Sequence, residues 1–308
     1  MLACTMQEND MRVFLTGATG FIGEAIIEEL LAAGHDILGL ARNEQKARLL
    51  ERSGVSVQLG DLDDTDSLVA GARASNGVIH TAFGHDFSKY LEAGEADLRA
   101  IEAMGQALAG TGKPLIITSA TTIVMPRQLA LEDQAARGDS PSGVRAPSEH
   151  ALAETSSRGV RGVALRLPPS VHAKGDHGFV PALIEVARRT GVSAYIGDGA
   201  NCWPAVHRRD AARLYRLALE KAPAGALHGV AEPGIPMRDI AAAIGEGLGV
   251  PVRSLRMDQA KAHFDWLAMF VAIDNPTSSA FTQRTVGWQP REKGLLEDLR
   301  DSGYFNER

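Results

Sequence analysis

Three glycines near the start of the chain, Gly17, Gly20 and Gly23, stand at G-x-x-G-x-x-G spacing between an apolar run and an amphipathic one. The chemistry such a spacing serves is the cradling of a pyrophosphate. Gly17 can take backbone angles closed to other residues, Gly20 lets the main chain approach the phosphates, and Gly23 lets the following helix pack closely on the strand. A helix beginning there aims free N–H groups and the positive end of its dipole at the anion. The whole turn, Gly17, Ala18, Thr19, Gly20, Phe21, Ile22 and Gly23, is therefore expected to bind a dinucleotide.

Which dinucleotide is decided after the second strand, where a carboxylate would bond a ribose 2′-hydroxyl and an arginine would accept a 2′-phosphate. The chain reads Leu40-Ala41-Arg42-Asn43 there, with no acid. Arg42 can form a bidentate, charge-assisted pair with a phosphate, so NADP is expected ahead of NAD. Lys46, one helical turn on, can assist. After the third strand, Asp61 is placed to bond the adenine amino group and Leu62 to pack on the ring, while Asp63 or Asp64 starts the next helix. After the fourth strand, Thr81, Ala82 and Phe83 let the chain run beside the ribose and nicotinamide. His80, at the end of an apolar run, reads as structural.

These residues need a scaffold of alternating strands and helices. Apolar runs predict strands over 11–16, 36–40, 55–59, 77–81, 114–118 and 160–166. Helices are expected over 23–33, 44–53, 65–72, 89–108 and 148–157. The alternation predicts an α/β fold, a Rossmann-type doubly wound parallel sheet over 11–167. Residues 1–10 read as a loose tail. Over 168–308 the pattern loosens: a loop over 168–179, helices over 180–190, 210–220 and 236–248, and a strand over 193–196. This part is expected to be mainly a smaller lobe that binds substrate.

The 308 residues carry a formal charge of −6, and 44% of them are hydrophobic. That balance favours no nucleic-acid partner, and no apolar run reaches membrane-spanning length. Two cysteines, Cys4 and Cys202, make no disulfide framework, which fits a reducing cytoplasm. Residues 1–10 lack the basic start and apolar core of a signal peptide. The histidines fit no standard zinc spacing, so no metal is expected.

Taken together, several segments resemble the extended short-chain dehydrogenase/reductases, the NAD-dependent epimerase/dehydratase family. They are Thr16-Gly17-Ala18-Thr19-Gly20-Phe21-Ile22-Gly23, Gly60-Asp61-Leu62, Thr118-Ser119-Ala120-Thr121, and Leu165-Arg166-Leu167-Pro168 through Val171. Gly197-Asp198-Gly199, Pro204 through Asp210 and Val286-Gly287-Trp288-Gln289-Pro290 extend the likeness over nearly the whole chain. The resemblance implies that Leu167, Pro168 and Val171 line the cofactor. It also implies that Ser119, with Thr121 as its neighbour, bonds a substrate carbonyl or hydroxyl. Dimerisation through two helices per subunit, here 89–108 and 148–157, is implied as well.

The family's chemistry rests on a Tyr-x-x-x-Lys pair in the helix after the serine, and here the pair is missing. No tyrosine occurs between Tyr90 and Tyr195. One registration puts Ala146 and His150 at the two positions, another Ser148 and Leu152. His150 can donate a proton near neutral pH, as can Glu149 if burial raises its pKa. His85-Asp86, His172, Asp176, His177 and Tyr195 are further candidates. Phe264, Trp266, Met269 and Phe270 form either an apolar wall or a local core. The expected activity is an NADP-dependent oxidoreductase acting on a small carbonyl or hydroxyl compound. The alternatives are a non-catalytic NADP-binding redox sensor and a sugar-nucleotide epimerase or dehydratase.

Overall fold

The computed structural model describes residues 10–84, 89–124 and 128–306. The first half runs β1 (Arg12–Thr16), α1 (Phe21–Ala32), β2 (Asp36–Ala41), α2 (Glu44–Arg52), β3 (Ser56–Leu59), α3 (Thr65–Arg73), β4 (Gly77–His80), α4 (Tyr90–Leu108), β5 (Pro114–Ala120), α5 (Ala146–Ser157) and β6 (Arg161–Leu167). The second half adds β7 (Ser170–His172), α6 (Phe179–Thr190), β8 (Ser193–Ile196), β9 (Cys202–His207), α7 (Arg208–Lys221), β10 (Gly225–His228), β11 (Glu232–Pro236), α8 (Met237–Leu248), β12 (Val252–Leu255), α9 (Met257–Phe264), α10 (Ala268–Val271), α11 (Ala280–Val286) and α12 (Leu295–Asp301).

Seven strands form one parallel sheet in the order β10-β6-β5-β4-β1-β2-β3. The central strands are buried on both faces, and Val13, Phe14 and Leu15 read accordingly as an unbroken apolar run. The face under α1 and α7 is filled by Leu15, Ile26, Leu30, Ile79 and Leu214. The face under α3, α4 and α5 is filled by Phe14, Leu68, Ile101, Met104 and Leu152. Strand order reverses between β1 and β4, so the crevice for a ligand opens at the carboxyl ends of these strands.

The second half does not stay in its own lobe, as a division at Leu167 would have it. After β9 the chain returns to the sheet. α7 buries Ala211, Ala212, Leu214, Tyr215, Ala218 and Leu219 and packs on α1. β10 then pairs with β6, covering an edge that would otherwise expose unpaired backbone. What remains is a smaller unit built from the β11-β9-β7 sheet, the β12-β8 pair, α6, α8, α9 and α10, with Trp203, Ile240, Phe264 and Phe270 in its core. Phe264 and Phe270 are thus core, whereas Trp266 and Met269 are exposed. Among the described residues no helix is long and apolar enough to cross a membrane.

Candidate active site

The glycine turn is built as its sequence predicts. Gly17 has φ 69°, and a Cβ there would stand 2.7 Å from the Ala82 nitrogen and 2.5 Å from Thr81 Oγ1; a Cβ on Gly23 would collide with the Gly17 carbonyl oxygen. The turn is therefore pressed against the loop after β4, which Thr81 Oγ1 ties back by donating to the Thr16 carbonyl at 2.8 Å. α1 starts at Phe21 with no side chain capping its end, which leaves its first N–H groups for an anion. This cradle, which added side chains would fill, fits a dinucleotide pyrophosphate.

Arg208, to which sequence reasoning gave no role, lies over the Phe21 ring at 5.0 Å from its centroid, bringing a guanidinium to that same helix end. His177 meets the other side of the story: its ring stands edge-on to Phe21 at 5.8 Å. The signal for Arg208 was present in the Pro204–Asp210 motif, but only the packing of α7 on α1 reveals its neighbour. Arg42 is exposed at the end of β2, and among the described residues no carboxylate pairs with it. Asp61 Oδ1 accepts from the N–H groups of Asp63 and Asp64, which orders the turn, and Asp64 rather than Asp63 caps α3. Leu62 is half-buried beside that turn, Leu167 and Pro168 are buried, and Val171 packs on the core.

At the other end of the crevice the expected catalytic groups do not converge. Ser119 is buried at the end of β5, and its Oγ has no hydrogen-bond partner among the described residues. Thr121 is committed elsewhere: its hydroxyl donates to Asn275 Oδ1 at 2.6 Å, clasping the C-terminal segment. His150 lies on the exposed face of α5, because Ser148, Glu149 and Leu152 take the inward face and the helical rotation turns position 150 outward. Glu149 is buried, but both its oxygens are taken by Arg166, at 3.0 and 2.7 Å. His85-Asp86 lies outside the described residues. His172 Nδ1 pairs with Asp298 at 2.8 Å. Asp176, pushed up by burial, bonds the Gly178 N–H and Tyr304. Tyr195 packs in the core of the smaller unit.

Under α4 and α5 the structure assembles a different set of charges. Thr16 bonds His80 Nδ1 at 2.7 Å, and His80 Nε2 bonds Asp97 of α4 at 3.2 Å. Asp97 also accepts from Arg145 Nη2 at 3.2 Å and from Ser148 Oγ at 2.6 Å. Burial alone would raise the Asp97 carboxyl, but Arg145, His80 and Ser148 outweigh it and hold the group below its usual range. His80 is thus structural, as its apolar setting suggested. A second buried group joins Arg166 to Glu149, places Arg166 Nη1 3.5 Å from His228 Nε2, and is flanked by Glu132, whose Oε1 accepts from Thr282. Arg145 and Glu149 form a third four-residue spacing at the start of α5, missed in the sequence because neither residue looks like a tyrosine or a lysine. Both are buried.

A fold with this strand order and this turn defines a dinucleotide-binding α/β protein, and comparison with known proteins agrees. A family model described as NAD(P)H-binding matches residues 17–137. The chain is 49% identical over 296 residues to an uncharacterised protein of Schizosaccharomyces pombe, spanning 96% of this chain and 100% of that one. It is 27% identical over 267 residues to the 2-alkyl-3-oxoalkanoate reductase of Stenotrophomonas maltophilia, 81% of this chain and 78% of the relative. Among solved structures, the Bordetella bronchiseptica enzyme WbmG in complex with NAD and UDP is similar with a TM-score of 0.75 at 18% identity, over 97% and 96% of the two chains. Thermus thermophilus UDP-glucose 4-epimerase in complex with NAD follows with 0.73 at 24%, over 96% and 99%. The chain belongs to one family with that Schizosaccharomyces pombe protein, its residues 17–137 match the NAD(P)H-binding model, and its fold is the one seen in WbmG and in UDP-glucose 4-epimerase.

Proposed function

We propose that the protein is an NADP-dependent reductase of a small carbonyl compound. The observation that carries the cofactor choice is Arg42: an exposed guanidinium, unpaired among the described residues, at the strand end where NAD-specific folds keep an acid. The glycine turn supports the pyrophosphate, and Arg208 adds a second cation at that helix end. When bound, the cofactor supplies a hydride. Ser119, whose hydroxyl is buried and without a partner among the described residues, donates to the carbonyl oxygen and polarises it. The relation to a 2-alkyl-3-oxoalkanoate reductase favours a carbonyl substrate. In this reading α4 and α5 offer the face for a second copy of the chain, which light scattering measures.

Titration calorimetry of NADPH and NADH tests this reading. Arg42→Ala is expected to weaken NADPH roughly 10- to 100-fold, the worth of one or two charge-assisted hydrogen bonds, and to leave NADH unchanged. Equal binding of both cofactors by the unaltered protein would overturn the Arg42 assignment. One observation favours a second reading, a non-catalytic NADP sensor: Thr121 and His150 are held away from any common site. NADPH oxidation in the presence of benzaldehyde or ethyl acetoacetate decides between them, since a sensor binds NADPH without consuming it.

A further inference from the structure

We propose that Tyr90 and Arg145 together replace the family's tyrosine–lysine pair, Tyr90 as proton donor and Arg145 as the cation that stabilises its phenolate. The proposal rests on the reductase reading above and names its missing acid.

The two residues come from different elements and meet around Phe83, in the loop after β4. The Arg145 guanidinium carbon stands 4.0 Å above the Phe83 ring centroid. The Tyr90 ring meets the same ring edge-on at 5.9 Å. The Tyr90 hydroxyl hydrogen-bonds Ser142, and Ser142 in turn contacts Thr122, just past the end of β5 where Ser119 lies. The hydroxyl is thus tied to the β5 end, where the family keeps its serine. Arg145 stands directly before α5, where the family keeps its tyrosine, and Asp97 fixes it there from α4. Arg145 Nε is buried with no acceptor among the described residues, so the guanidinium has a donor to spare.

Chemistry divides the roles. An arginine does not release its proton at working pH and cannot be the acid. A tyrosine beside a fixed cation can, and the pairing serves as it does in a tyrosine–lysine pair. Among the described residues, the charged groups that act on Tyr90 are Arg145 from the start of α5 and Asp97 from its own helix, with His80 of β4 facing Asp97. Burial raises the phenol above its usual value, while Arg145 and Ser142 pull it down and Asp97 adds a smaller upward push. In the reaction, the substrate carbonyl carbon accepts a hydride and the C=O π pair moves onto oxygen. The Tyr90 O–H bond breaks and its proton goes to that oxygen, giving the alcohol. The phenolate left behind is stabilised by Arg145 and takes its next proton from solvent. The sum is carbonyl plus NADPH plus a proton to alcohol plus NADP.

Two readouts test the pair. In the cofactor-free protein, ultraviolet absorbance follows phenolate formation against pH. Burial holds Tyr215 and Tyr304 far above the usual range, which keeps them out of the titration. The step lost in Tyr90→Phe belongs to Tyr90. It is expected to move up in Arg145→Ala and in Ser142→Ala, and to stay near its place in Arg145→Lys. Turnover of benzaldehyde or ethyl acetoacetate by Tyr90→Phe is expected to fall about 100-fold or more in kcat, the usual worth of a general acid, with NADPH binding unchanged. A Tyr90 step that ignores Arg145→Ala and Ser142→Ala, or Tyr90→Phe turning over like the unaltered protein, would overturn the proposal and leave the reductase reading standing. An unaltered protein that binds NADPH and reduces neither probe would sink the reductase reading, and the acid role with it.

Discussion

The two ends of the crevice are built on different principles. At the pyrophosphate end, Gly17, Gly20 and Gly23 present backbone, and Arg208 brings a cation to the start of α1. At the chemical end, beneath α4 and α5, side chains do everything: His80, Asp97, Arg145, Glu149, Arg166 and His228 are all buried and all engaged. The first end binds by shape, which tolerates little change in the residues that make it. The second end holds charge in a low-dielectric interior, where any arrangement survives if every ion keeps a partner. That difference lets the glycine turn keep one form while the side chains of the other end vary together.

The contrast can be broken most forcibly at Asp97. Asp97→Ala strands Arg145 and His80 together without a counter-ion, and is expected to cost about 3–5 kcal/mol in urea unfolding. The acid limb of stability should show the same group. Asp97 has its folded pKa below the unfolded value, so its contribution is full above about pH 4 and is lost as pH falls through the lower folded value. An unfolding free energy unchanged by the substitution would mean that the charges of this end are not coupled.

His228 offers the next largest effect. Burial pushes its pKa down to about 4. The unfolded chain takes up a proton near pH 6.5 that the folded protein refuses until about pH 4. Stability should therefore fall with falling pH across that window, by roughly 1.4 kcal/mol per pH unit and about 3 kcal/mol in all. His228→Gln should flatten this limb, which denaturant melts at a series of pH values will read.

A smaller expected effect sharpens the comparison from the other side. Gly23→Ala drives a methyl group into the Gly17 carbonyl and should cost roughly 1–3 kcal/mol. Calorimetry should show NADPH binding lost, while the titration of Tyr90 should move little, because the collision is with Gly17 and reaches Phe83 only through Thr81 and Ala82. A shift of that titration in Gly23→Ala would join the two ends into one unit.

Much of the fold was legible in the chain. The first six strands of the large sheet and the helices between them follow from apolar runs and turn residues, which act over a few positions. The seventh strand, β10, was not, because nothing in Gly225-Ala226-Leu227-His228 says that its partner is β6, far earlier in the chain. The return of α7 to the large sheet was missed for a related reason: its apolar face says that it is buried, not against which sheet. In the site, Gly17 takes the left-handed turn its spacing predicts, Arg42 follows β2 in the open, and Asp61 spends one carboxylate oxygen on the turn before α3. His150, offered as a proton donor, lies on the exposed face of α5, a placement that its neighbours in the sequence did not signal. Tyr90 carried no local motif at all.

What the sequence alone determined was the dinucleotide-binding end, because a backbone cradle depends on glycine spacing and on the strand and helix beside it, all within a dozen neighbours. Only the tertiary structure decided the chemical end. Asp97 and Arg145 lie 48 positions apart on different elements, and Glu149 and Arg166 lie 17 apart, one on α5 and one on β6. Burial makes such pairings obligatory, since a lone buried ion is too costly to keep. Yet nothing in the local sequence says which ion will be the partner, and that choice belongs to the packing of α4 and α5 on the sheet.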